Sequence, residues 1–100
     1  MRVTLPHDLG QEEVRRRMHE HSASIGSYFP PGMAEVETSW PHEDQMDLLI
    51  TAAGQRITGQ IEVHEAHVII DMDLPPILGF LRGTLERAVR KHGGQLLEKS

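Results

Sequence analysis

The sequence has no cysteine, one tryptophan, one tyrosine and two phenylalanines in 100 residues. Without thiols there are no disulfides, thiolate zinc sites or cysteine nucleophiles, and nothing argues for an oxidising compartment. The shortage of rings means that the core is built from aliphatic side chains. No apolar run approaches the roughly 20 residues that span a bilayer. Met1 leads directly into a strand pattern with no signal-peptide hydrophobic region, so a cytoplasmic protein without a transmembrane segment is expected. Positive charge is also short: 10 Lys and Arg stand against 15 Asp and Glu, a net charge of -5. That balance argues against nucleic acid as a partner, because binding it requires phosphate neutralisation. The chain lacks internal repeats, a Gly-rich phosphate loop and a Gly-x-Ser-x-Gly nucleophile motif.

What is present is alternation. Met46, Leu48 and Ile50, then Ile57, Gly59, Ile61 and Val63, then Val68, Ile70, Met72 and Leu74 recur with period two, the pattern of half-buried strands. A turn at Gly54-Gln55 places Ile50 opposite Gly59 and Leu48 opposite Ile61. A turn at Glu65-Ala66, or a wider loop from His64 to His67, places Val63 opposite Val68 and Ile61 opposite Ile70. Gly54 supplies the positive φ that a tight hairpin favours. Val36, Thr38 and Trp40 extend the pattern to another strand, facing Ile50, Leu48 and Met46 across a five-residue loop, Pro41 to Gln45. Val3 and Leu5 form a short first strand, which joins an edge of the sheet beside either the second or the last strand. Gly59 is mid-sheet, where a helix side chain is expected to pack against it.

Two helices complete the plan. Asp8 is the expected cap of the first, in which Val14, Met18, His21 or Ser22, and Ile25 share a face as far as Ser27 or Tyr28; Pro30-Pro31-Gly32 then breaks the chain. The second starts at Pro75-Pro76, carries the stripe Leu78, Leu81, Leu85, Ala88, Val89, His92 and Leu96, and ends or frays at Gly93-Gly94. The order β-α-β-β-β-β-α predicts an α+β fold, an antiparallel sheet with two helices packed on one face. Residues 1–97 form one domain and residues 98–100 a mobile C-terminal tail.

Three groups of residues are candidates for function. Of the seven histidines, His42, His64 and His67 fall at one end of the sheet and are the candidate metal ligands. His64-Glu65-Ala66-His67 is one residue short of the helical zinc motif His-Glu-x-x-His and lies in a hairpin, so polar loop residues are the plainer reading. The open sheet face carries Glu35, Glu37, Asp47, Glu62, Asp71 and Asp73, with Leu49 and Ile69 among them. A one-signed face of this kind is either solvated or a docking surface for a partner or a second copy. Arg15, Arg16 and Arg17, with Arg82, Arg87, Arg90 and Lys91, give a basic surface over the helices. It suits an anionic surface or an acidic partner if it is not simply solvated.

The segment from Leu5 to Gly10 followed by Glu13 and the three arginines resembles the opening of the putative polyhydroxyalkanoic acid system proteins, the granule-region family. Ile57-Thr58-Gly59-Gln60-Ile61-Glu62-Val63 resembles their central strand. Asp73 to Phe80, leading into Leu85-Glu86-Arg87-Ala88-Val89, is similar to their strand-to-helix junction. The likeness covers roughly residues 1 to 97. It implies a small bacterial protein associated with storage-polyester metabolism or granules, and it brings no catalytic residues and no cofactor.

The expected function is therefore a non-catalytic accessory or binding protein of polyhydroxyalkanoate metabolism. Its interaction surface is the open sheet face with Leu49, Ile69, Glu37, Asp47, Glu62, Asp71 and Asp73, and its partner is a second copy, another protein or a polyester granule surface. Two alternatives stand beside it. One is a small apolar-ligand-binding module, with a pocket between helices and sheet near Gly59, Gly79 and Gly83. The other is a metal-dependent enzyme using the loop histidines.

Overall fold

The computed structural model describes residues 1–21, 34–52 and 54–98. Its elements are β1 (Arg2–Pro6), α1 (Gln11–His21), β2 (Ala34–His42), β3 (Gln45–Ala52), β4 (Gln55–Val63), β5 (His67–Asp73), a 3₁₀ helix (Pro76–Leu81) and α2 (Arg82–Leu96). The strands form one antiparallel sheet in the order β1-β5-β4-β3-β2. This is the α+β plan that the alternation predicts. The first strand joins the last: Val3 pairs with Ile70 and Leu5 with Val68. The continuation of α1 through Ile25 to Ser27 or Tyr28, the break at Pro30-Pro31-Gly32 and the tail at residues 99–100 lie outside the described residues.

One face of the sheet is the core. Val3, Leu5, Met46, Leu48, Ile50, Ile57, Val63, Val68, Ile70 and Met72 are all buried there, joined by Val14 and Met18 of α1 and by Leu78 and Leu97. The β4–β5 register agrees with the sequence reading: Val63 meets Val68, Ile61 meets Ile70 and Gly59 meets Met72. The β3–β4 register differs by two residues. Ile50 pairs with Ile57 and Leu48 with Gly59, and the hairpin closes at Ala52 and Gln55. A slip of two keeps every side chain on its own face, so alternation alone cannot detect it. Gly54 does have positive φ, +74°, as the second residue of that turn.

The β2–β3 hairpin is also tighter than the sequence suggests. His42 pairs with Gln45 around Glu43-Asp44, and the register breaks between Ser39 and His42. Proline at position 41 explains the break, since it has no N–H for the ladder and is tolerated on an edge strand such as β2. At Gly59, the space a side chain would fill is taken by the neighbouring strands: an added Cβ would lie 3.3 Å from the Asp71 carbonyl and 3.4 Å from Met72 Cγ. Side chains of the sheet, rather than a helix residue, close over it.

Gly93 and Gly94 do not end α2, which runs on to Leu96. Two contacts hold its last turn. Leu97 is buried, and Arg17 of α1 donates to the carbonyls of Leu96 at 2.9 Å and Glu98 at 2.6 Å. A cation at a helix C-terminus satisfies free carbonyls and suits the helix dipole. Gly94 has open space around its Cα, so its only effect is on backbone entropy. Gly94→Ala is expected to stabilise the protein by about 1 kcal/mol, a rise in Tm of about 4–8 °C for a domain of this size, measurable by circular dichroism melting.

Candidate functional site

The N-terminus of α1 is fixed by a clasp of hydrogen bonds to the β4–β5 turn. His7, 8% exposed, donates its backbone N–H to the Ala66 carbonyl at 3.0 Å. Its Nδ1 accepts from the Leu9 N–H at 3.2 Å. Nε2 is therefore the nitrogen carrying the proton, and it donates to the His64 carbonyl at 2.9 Å. Gln11 adds Nε2 to the Val63 carbonyl at 3.0 Å, and its N–H points at the Glu65 carboxylate at 3.4 Å. Asp8 is exposed and is not the cap. The helix starts two residues later than that assignment needs, after Gly10 with φ +81°, and Glu65 supplies the negative charge at its N-terminus from across the turn. The Glu65-Ala66 turn itself is closed by the His64 N–H donating to the His67 carbonyl at 2.9 Å.

Two of the three arginines of α1, Arg15 and Arg17, serve the same docking. Arg15 reaches the β2–β3 turn, 2.6 Å from Asp44 and 3.5 Å from Glu43. Arg16 pairs with Glu13 and Glu20, and Arg17 with Glu13. Hydrogen bonds from Arg16 and then Arg17 hold the Glu13 carboxyl at about 2, below its ordinary 4.5. The stabilisation this gives is present above about pH 4.5 and is lost as the pH falls towards 2; it is exposed and screened by salt. The three arginines are thus committed to contacts within the fold, and the basic surface expected over both helices contracts to α2.

With α1 fixed in this way, an apolar cavity of about 190 Å³, open to solvent at its mouth, lies between it, α2 and the sheet. Leu48, Ile50, Ile61, Ile70 and Met72 form its floor, Met18 one wall, and Leu85, Ala88, Val89 and Leu96 the other. His21 and His92 bring the only polar side chains to the lining among the described residues. The packing of α2 on the core is incomplete: none of its residues is fully buried, although Val89 and Leu96 touch the core. Contact is close at Gly93, where a methyl group would lie 2.5 Å from Leu5 Cδ1. Of the three glycines expected to mark a pocket, Gly79 and Gly83 are exposed and Gly59 is sealed by Met72 and Leu48; it is Gly93 that belongs to the lining.

The other candidates are dispersed. His64 and His67 stack with ring centroids 4.6 Å apart, and His64 Nε2 is buried without a hydrogen-bond partner among the described residues. His42 pairs with Gln45 on the far side of β3 and β4, three strand spacings from β5, on the order of 14 Å. Among the described residues no three histidines or carboxylates gather as a metal site. On the open face the rows run Glu37, Leu49, Thr58, Asp73, then Asp47, Gln60, Asp71, then Glu62, Ile69. Leu49 and Ile69 are two strands and four residues apart, about 16 Å, and form no common patch. Asp71 is paired with Arg2 at 3.6 Å.

A family model described as putative polyhydroxyalkanoic acid system protein matches residues 1–97. The chain belongs to that family. The family name links it to the polyhydroxyalkanoic acid system, in agreement with the resemblance of its strand-to-helix junction. No curated protein matches the chain, and no solved structure does. Among the described residues of this family member no helix is long and apolar enough to cross a membrane.

Proposed function

We propose that the chain is a non-catalytic binding protein of the polyhydroxyalkanoic acid system, acting in the cytoplasm, and that the cavity between helices and sheet is its working site. The cavity is the observation that carries this reading. Its described lining is hydrocarbon with two imidazoles, an interior that suits retention of an apolar ligand. A dry apolar cavity of about 150 Å³ binds benzene, so a volume of about 190 Å³ accommodates an alkyl chain of about six to eight carbons. An alkanoic acid offers such a chain, and its polar end has His21 and His92 as the polar positions on the lining. The acidic open face, with Leu49 and Ile69 apart, is the weaker candidate for a partner surface.

Calorimetric titration with octanoate tests the proposal. Saturable one-to-one binding that Ala88→Phe abolishes is expected. Octanoate that fails to bind, or binds equally to the filled variant, contradicts it.

A further inference from the structure

The arm that leads into and forms α2 has an unusual surface. Ile77 is 67% exposed and Phe80 79% exposed, the two large apolar side chains on the outside among the described residues. Both lie in the 3₁₀ helix, where positions i and i+3 eclipse, so the two side chains stand one above the other. The backbone remains right-handed through Leu81 (φ -85°, ψ -6°) into Arg82 (φ -53°, ψ -48°), which makes Pro76 to Leu96 one continuous helical arm. Along it Phe80, Gly83, Arg87 and Arg90 have the i, i+3, i+7, i+10 spacing of a single face, and all four are exposed. Lys91 is exposed beside them.

The arm is also the cationic part of an acidic protein. It carries Arg82, Arg87, Arg90 and Lys91 against one carboxylate, Glu86, while the whole chain is at -5. Arg90 spends part of its charge on Glu86 at 3.3 Å; Arg87 and Lys91 make no ion pair with a described residue. Glu37, Asp47, Asp71 and Asp73 lie on the opposite face of the sheet from the helices, so the charge of the molecule is polarised across its thickness.

We propose that this arm docks the protein on an anionic lipid surface, with Phe80 and Ile77 inserted at the acyl boundary and Arg87, Arg90 and Lys91 against headgroup phosphates. The proposal goes beyond the cavity reading and does not depend on it. A convex apolar tip followed by cations matches the layering of a lipid interface, apolar within and anionic at its rim. A fluid interface closes around protruding side chains without a preformed pocket, whereas a protein partner needs a concave one. The acidic face points away from such a surface, which orients the approach.

The test is cosedimentation with vesicles of mixed phosphatidylglycerol and phosphatidylcholine, and with vesicles of phosphatidylcholine alone. The wild-type chain is expected to bind the mixed vesicles at least about tenfold more tightly, with an affinity that falls as salt rises. Ile77→Asp/Phe80→Asp should weaken binding by about tenfold or more, and Arg87→Gln, Arg90→Gln and Lys91→Gln by about fivefold each. All five positions are exposed, so the variants should melt like the wild type, and the melting curve checks this. No binding to anionic vesicles, which would leave the arm to a protein partner, overturns the proposal. So does equal binding to both vesicle types, or wild-type binding by the double aspartate variant.

Discussion

Octanoate at about a hundred times its dissociation constant is expected to raise Tm by about 10–20 °C. A ligand that binds only the folded state stabilises it by about 2.7 kcal/mol at that ratio, and each kcal/mol moves the midpoint of a domain this small by about 4–8 °C. The expectation rests on the apolar lining of the site, against which an alkyl chain leaves water. Ala88→Phe places a ring in the same space from the α2 wall. It should hold or raise Tm on its own and remove the response to octanoate. A variant that melts lower and still responds would mean that the ligand binds elsewhere.

His7→Ala is expected to lower Tm by about 10–20 °C. The substitution removes a nearly buried ring, the acceptor for the Leu9 N–H and the donor to the His64 carbonyl. Losing these bonds with their partners left in place, together with the volume, costs about 2–4 kcal/mol. His7→Leu separates the two contributions. It restores most of the volume and neither hydrogen bond, so it should recover less than half of the loss. Full recovery would show that packing, not the clasp, fixes this corner. The consequence reaches the site, because the clasp sets the start of α1 and Met18 of α1 walls the cavity. Octanoate should therefore bind more weakly to the alanine variant even at temperatures where it is folded.

Which parts of this were visible in the chain follows from what each pattern can encode. Period two assigned Leu48, Ile61, Ile70 and their neighbours to the core face correctly, since a strand has only two faces. It could not choose between registers two residues apart, and the β3–β4 pairing fell on the other one. Glu43-Asp44 closes a tight hairpin that a reading of Pro41 as a loop residue hides. His7 looked like a loop histidine because its partners, the carbonyls and N–H groups of residues 64, 66 and 9, are backbone atoms with no sequence signature. Glu65 capping α1 is a contact across 54 residues. Gly93-Gly94 reads locally as a stop, yet Arg17 and the burial of Leu97 override it. A cavity was legible only as a general possibility beneath two helices; its place depends on how completely α2 packs on the sheet, which no local pattern carries.

The most direct measurement is a two-dimensional spectrum of the protein labelled with ¹³C at its methionine methyls, recorded as octanoate is added. Met18, Met46 and Met72 line the cavity, whereas Met1 is not part of the lining. The signals of Met18, Met46 and Met72 are predicted to shift together, saturate at one equivalent and show contacts to the alkyl chain, with Met1 unmoved. Three unmoved cavity signals at saturating octanoate would contradict the assignment of this cavity as the ligand site.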